Sequence, residues 1–341
     1  SSGGILRILQ APAYDEAVLY LRICSAGMFF VYIYNAFSSM LRAVGDSRTP
    51  MRIVIATTIL NAVLDLVFVA GFGMGVAGAA WATNLSQAIS AVLCAVYIYK
   101  KVSALMPEKR HWRFHKGDTR YQLATGIPMA LQFAITSSGT MVMQSAINLF
   151  GSEAVAAYTA AGKIHGLLTQ GMVAMGQTMA VYSGQNYGKG DAGRIRQGVR
   201  AALIIEVIYS VASAVVVSAA LGPSLGLFFS GEVDLAAMMP WARTYTTICT
   251  LFYVPLCTIF IFRNTMQGCG YGFLPMMGGV VELAARLIVA VIAMDIHSYW
   301  LACACDPAAW VGAGLFTGIS YLYVIKKIEK NLGKGTAVHK S

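Results

Sequence analysis

The sequence predicts an all-α integral membrane protein with nine transmembrane helices, and three observations lead there. Hydrophobic residues make up 57% of the 341 positions and charged residues only 12%, whereas roughly a quarter of a soluble domain is charged. The apolar runs reach about 20 residues, enough for a helix to cross a hydrocarbon core, and lack the ~10-residue alternating segments of a membrane barrel. The basic residues, finally, gather in every second loop.

The spans follow from where those runs break. Span one, 18–41, ends in a basic turn from Leu41 to Met51 that carries Gly45 and Pro50. Spans two and three, 53–73 and 76–99, meet near Gly73, and a charged stretch at 100–120 follows them. Spans four and five, 122–149 and 153–182, meet at Gly151. The polar run Ser183 to Asp191 precedes span six, 199–221. Span seven, 242–266, lies between Gly231 and the glycine-rich turn 268–272. Spans eight and nine, 275–296 and 306–325, meet near Ser298, and a basic tail closes the sequence. Pro128 and Pro255 fall inside spans four and seven, where a missing N–H and a ring clash are expected to bend a helix and so to serve gating.

A net charge of +10 invites a nucleic-acid partner, but its placement excludes one. Of 25 Lys and Arg, three lie in the first turn (Arg42, Arg48, Arg52), seven between Lys100 and Arg120, four between Lys189 and Arg200, and five between Lys326 and Lys340. All nineteen fall on one side if each span crosses, and the intervening loops near Gly73, Gly151, Gly231 and Ser298 carry none. This positive-inside bias places the C-terminus in the cytoplasm, with the protein in the plasma (inner) membrane. Arg7 and Arg22 fall toward the outer side against the trend. Seven cysteines, an odd number, suggest no disulfide framework. Cys24, Cys94, Cys249, Cys257 and Cys269 read as small packing residues, while at Cys303 and Cys305 a disulfide would be strained and a metal site lacks partners. His111 and His115 lack a carboxylate or thiol partner and read as a solvated face rather than a metal pair.

A repeat organises the chain. Gly45, Pro50 and Met51 match Gly270, Pro275 and Met276 at an offset of 225, and Ala79-Ala80-Trp81 matches Ala308-Ala309-Trp310 at 229. Spans one to three therefore resemble spans seven to nine in the same inside-out order, as parallel repeats do. Three spans precede the second copy and none the first, so the repeat predicts a parent of six plus six spans whose first three are absent. The domains expected are a partial N-terminal bundle (1–99), a cytoplasmic linker (100–120), a C-terminal bundle (121–330) and a cytoplasmic tail (331–341).

Span two carries Asn61 and Asp65 four residues apart, on one helix face. An ionisable group at membrane depth costs on the order of 3 kcal/mol and marks a functional site by default. Desolvation disfavours the charged form of a carboxyl, so Asp65 is expected to take a proton from one side and release it on the other. A hydrogen-bonded structural Asp that locks helix packing is the plainer reading of the same residue.

Three stretches resemble the multidrug and toxic compound extrusion (MATE) transporters. They are Leu41-Arg-Ala-Val-Gly-Asp-Ser-Arg-Thr-Pro50, Gly73-Met-Gly-Val-Ala-Gly-Ala-Ala-Trp81 and Ser183-Gly-Gln-Asn-Tyr-Gly-Lys-Gly-Asp191. The resemblance implies a fold of two six-helix bundles related by a pseudo-twofold axis, with the nine spans as family helices four to twelve. It also implies a secondary antiporter that exports small organic, often cationic, compounds in exchange for H⁺ or Na⁺. No other cofactor is expected, the lipid bilayer is the partner, and the protein acts as a monomer. The family's polar network maps onto Asn61 and Asp65 in span two and Thr83 in span three, with Asn35 in span one as a further member. In the second half the repeat offsets set Arg286, Ala290 and Gly312 opposite Asn61, Asp65 and Thr83, so the ion site is expected to be asymmetric. Glu282 and Arg286 are i,i+4 and are expected to pair.

Glu206 in span six and Lys163 in span five are intramembrane charges that either line the cavity, the acid attracting cationic substrates, or pair with each other. Gln132 in span four is either a cavity residue or interhelical glue. His165 reads as a packed polar side chain. A lipid-linked precursor flippase of the same superfamily is the alternative. It would want a strongly cationic cavity, and the intramembrane basic residues Lys163, Arg263 and Arg286 are few. An intramembrane enzyme would need a nucleophile or metal set at one depth, and the sequence holds neither that nor a phosphate-binding glycine loop.

Overall fold

The structure, a computed structural model, describes residues 14–108, 113, 115–228 and 235–338. The outer leader up to residue 13, His111, Gly231 and the last three residues of the tail lie outside the described residues. The chain divides into two compact units, residues 1–114 and 115–341, and the division falls within the charged stretch 100–120.

The first unit contains α1 (Tyr14–Ala43), α2 (Arg48–Asp65) and α3 (Gly75–Lys101), with a 3₁₀ turn at Ser103–Leu105. α3 packs against both of the others, whereas α1 and α2 scarcely meet. α2 does not simply stop: it widens at Asp65 into a π-helical turn, Leu66–Gly71. The α1–α3 packing depends on one glycine. Asn84, buried on α3, donates through Nδ2 to the Ile23 carbonyl of α1 at 2.6 Å, and a Cβ at Gly27 would stand 1.8 Å from Asn84 Oδ1.

The second unit contains α4 (Lys116–Ile147), α5 (Ser152–Gly188), α6 (Ala192–Phe228), α7 (Leu235–Leu251), α8 (Tyr253–Gly268), α9 (Phe273–Asp295), the short α10 (Tyr299–Cys303) and α11 (Cys305–Val338). Each expected span has its helix, and no strand occurs among the described residues. Length and composition qualify six of these helices as membrane spans, and a seventh if α7 and α8 count as one span broken by a 50° bend. On that criterion, six or seven of the nine expected spans qualify among the described residues. α4 and α5 are long enough, but not apolar enough. The bend falls at Phe252, three residues before Pro255, as expected when a proline withholds its N–H and its ring excludes the carbonyl a turn earlier. Pro128, by contrast, lies inside a continuous α4.

The sequence repeat is visible in the backbone. At the end of α1, the Asp46 N–H donates to the Leu41 carbonyl and the Gly45 N–H to the Arg42 carbonyl, with Gly45 at φ 93°. At the end of α8, Tyr271 bonds Met266 and Gly270 bonds Gln267, with Gly270 at φ 83°. The end of α5 repeats the pattern with Asp191, Asn186, Gly190 and Tyr187. This is the left-handed glycine cap that satisfies the last carbonyls of a helix, and a side chain there is strained. The Thr49 N–H donates to Asp46 Oδ1 at 3.0 Å, and that bond holds the Asp46 carboxyl below the usual carboxylate range. A depressed carboxyl contributes its stability above the unfolded pKa of about 4 and loses it on further acidification.

The core of the second unit is largely alanine, methionine, cysteine and tyrosine, and glycine sets its closest approach. A Cβ on Gly268 of α8 would lie 2.2 Å from the Ala180 backbone oxygen of α5, and one on Gly162 would meet nothing within 4 Å. Overpacking against backbone costs typically 1–3 kcal/mol, whereas Gly→Ala inside a helix gains about 0.5–1 kcal/mol. Gly268→Ala is thus expected to lower the melting temperature in detergent by several degrees, and Gly162→Ala to leave it equal or higher. Equal effects of the two would refute the close contact.

Candidate functional site

Asn61 and Asp65 lie half-buried on one face of α2, at the point where α-helical bonding gives way to the π turn. Asn61 Nδ2 and Asp65 Oδ1 are shielded from solvent and have no hydrogen-bond partner. Such groups are uncommon, because a buried polar atom without a partner loses its hydration for nothing. π turns occur disproportionately at functional sites. Asp65 is within electrostatic reach of the Tyr20 hydroxyl on α1.

The structure does not hydrogen-bond the four sequence-predicted residues to one another. The Thr83 hydroxyl donates to the Ala79 carbonyl of its own helix at 3.0 Å. Asn35 is exposed and donates to the Val31 carbonyl of α1 at 2.9 Å. The polar residues that do bridge helices in this unit are neighbours the sequence did not single out. Asn84, one position beyond Thr83, reaches α1, and Ser90 of α3 donates to the Thr57 hydroxyl of α2 at 2.8 Å. Thr83 and Asn84 differ by 100° around α3, and spacing alone does not say which one faces a neighbour.

The second unit answers its buried charges differently. Glu282 and Arg286 pair across one turn of α9 at 3.6 Å, as expected. Two further members come from other helices. Arg263 of α8 donates to Glu282 Oε1, and Arg286 Nε donates to Asp306 Oδ1 of α11 at 2.8 Å. All four are at least nine-tenths buried, and the chain of two acids and two bases is neutral overall. Gly139 of α4 makes room for it: a Cβ there would lie 2.8 Å from Arg286 Nη1.

The remaining candidates separate. Gln132 is buried, and its Oε1 accepts from Gln267 Nε2 of α8 at 2.8 Å, which makes it interhelical glue. Glu206 is buried near the Cys257 thiol, with Oε2 unpartnered, and does not stand open to solvent. Lys163 is exposed on α5. His165 is not isolated. Its Nε2 lies 3.4 Å from Thr246 Oγ1 of α7, and its Nδ1 bonds the Tyr253 hydroxyl of α8, so one imidazole links both arms of the bent pair. No cluster of three or more potential metal ligands occurs among the described residues.

Residues 128–292 match the family model described as MatE. That segment, just under half of the chain, is similar to the MATE-family domain. The probable multidrug resistance protein YpnP of Bacillus subtilis is 34% identical over 195 residues, 56% of this chain and 43% of its own length. The probable multidrug resistance protein NorM of Thermotoga maritima is 27% identical over 316 residues, 89% of this chain and 64% of its own. A crystal structure of MATE in the bent conformation matches with a TM-score of 0.88 at 20% identity, over 97% of this chain and 74% of that one. The fold is the MATE fold, and the chain spans 43% and 64% of the length of these two curated relatives. A second family model, described as lipid II flippase MurJ, matches residues 12–152.

Of these groups, the buried network of the second unit makes the most direct prediction. Removing one member of a buried ion pair typically costs about 3–5 kcal/mol, because its partner is left charged and unmatched, while an apolar replacement of both can be neutral. Arg286→Met is therefore expected to destabilise the protein strongly, and adding Asp306→Leu to recover at least half of the loss. Thermal unfolding in detergent reads both variants. A double variant no better than the single would show that Asp306 is not Arg286's counter-charge.

Proposed function

We propose that the protein is a secondary active antiporter that exports small organic compounds in exchange for H⁺, with Asp65 as the coupling carboxyl. The observation that carries this reading is the pair of shielded, unpartnered polar atoms on Asn61 and Asp65 beside the π turn. A shielded carboxyl oxygen with no partner in the protein is a place where a proton or cation can serve as its partner, and a conformational change that admits water there would let that ion go. Asn61, one turn away, has an amide able to bond either protonation state. The names of the relatives support organic compounds as cargo, and Na⁺ is the alternative ion. The positive-inside bias supports a cytoplasmic C-terminus.

At the positions the repeat sets opposite Asn61 and Asp65, the second unit has Arg286, whose charge is matched, and Ala290, while its own shielded, unpartnered carboxyl oxygen lies elsewhere, on Glu206 of α6. The coupling is proposed at Asp65 because its unpartnered oxygen stands beside that of Asn61 and the π turn. A flippase for a lipid-linked precursor is the second reading, because the MurJ model covers the segment that holds Asn61, Asp65 and Thr83.

In everted membrane vesicles, Asp65→Asn is expected to abolish export driven by a pH gradient, and Asn61→Ala to reduce it roughly tenfold. Undiminished proton-driven export by Asp65→Asn would refute the coupling role. Export that requires Na⁺ and ignores the pH gradient would reassign the ion, and translocation of a pyrophosphate-linked lipid in its place would favour the flippase.

A further inference from the structure

α6 is apolar enough to cross a bilayer from Ala192 to Gly226. Those 35 residues extend about 52 Å, well beyond a hydrocarbon core of ~30 Å, so part of the helix stands in the headgroup layer. The side chains say which part. Arg194, Arg196, Gln197 and Arg200 are exposed near its start, whereas from Ile204 to Val216 every exposed side chain is apolar. The edge of the hydrocarbon therefore crosses α6 between Arg200 and Ile204.

A groove of about 360 Å³ between α5 and α6 straddles that edge. Met175, Met179 and Tyr182 of α5 line one wall, and Gln197, Ala201 and Ile205 of α6 the other. Tyr182 closes the polar end. Its ring lies against the α6 backbone, where a Cβ on Gly198 would come within 2.2 Å of it. Its hydroxyl donates to the Arg194 carbonyl at 3.0 Å. Arg194, Gln197, Ala201 and Ile205 follow one another at three or four residues and share one side of α6. Arg200 stands about 60° around the helix from Gln197. This flank runs from guanidinium through amide to aliphatic groups over about 17 Å.

The neighbouring acids are already engaged. Asp191 Oδ1 accepts from the Arg194 backbone N–H at 2.9 Å and caps α6. Glu329 of α11 holds Arg196 at 2.8 Å. Arg194 and Arg200 form no ion pair among the described residues. Basic pockets between transmembrane helices at the headgroup layer suit anionic lipid heads, and methionine walls adapt to an alkyl chain.

We propose that this groove binds one anionic phospholipid, its phosphate on Arg194 and Arg200 and one acyl chain along Met175, Met179 and Ile205. Gln197 hydrogen-bonds the polar region between them. The site lies apart from Asp65 and from the buried ion network, so it stands or falls independently of the coupling assignment.

The test is native mass spectrometry of the intact, delipidated protein in detergent, with equimolar phosphatidylglycerol and phosphatidylcholine of the same acyl chains. The wild type is expected to carry one phosphatidylglycerol at least fivefold more often than one phosphatidylcholine. Replacing both arginines, Arg194→Gln with Arg200→Gln, brings that ratio within about twofold of unity, and Arg194→Lys with Arg200→Lys keeps it above about threefold. Ala201→Phe, which fills the groove from an exposed position, lowers phosphatidylglycerol occupancy at least fivefold. Lys100→Gln with Lys101→Gln removes the same charge from the first unit and leaves the ratio as it was. Equal occupancy by the two lipids in the wild type overturns the proposal, and so does a preference that survives the double Arg→Gln change. A preference lost equally in the double Lys→Gln control reduces the effect to general charge attraction and refutes the site. Lipid occupancy undiminished by Ala201→Phe refutes it as well, and a dimer that Ala201→Phe dissolves assigns the groove to a second copy of the chain in place of a lipid.

Discussion

A charge placed inside hydrocarbon must be matched, and much of this structure follows from that requirement. Arg263, Glu282, Arg286 and Asp306 come from three helices and are buried together. None is tolerable alone, because desolvating an unpaired ion costs several kcal/mol even after relaxation. Joined, they form a neutral chain that ties α8, α9 and α11 to one geometry. Gly139 belongs to the same solution, since only a residue without a Cβ lets α4 close over the Arg286 guanidinium. Such a network stabilises less than its hydrogen bonds suggest. Its effect is that any displacement of one of these helices exposes an unmatched charge.

The first unit shows the requirement deliberately left open. At the position the repeat sets opposite Arg286 stands Asn61, and one turn further on Asp65, whose Oδ1 finds no partner. The helix also abandons its regular bonding there, passing into a π turn within one residue of the carboxyl. Two halves that share their turns down to the same left-handed glycine thus differ in how they treat charge. At the repeat-related positions one half pairs its charge with neighbouring helices, and the other holds a carboxyl oxygen without a partner.

The sequence alone determined the all-helical membrane class, the order of the helices, the repeat, the MATE resemblance and the Glu282–Arg286 pair. These rest on periodicities of 3.6 residues, apolar run lengths and glycines at helix ends, all local in the chain. What only the tertiary structure decided is which way each polar side chain faces. Thr83 bonds its own helix while Asn84, 100° around, crosses to α1. Asn35 turns outward, Gln132 is tied to Gln267, and Glu206 is buried while Lys163 stands open. Arg263 and Asp306 joined the ion network from 19 and 20 residues away along the chain. Composition shows that a polar residue lies within a span, but its partner is set by how helices pack, and that depends on contacts between residues far apart in sequence.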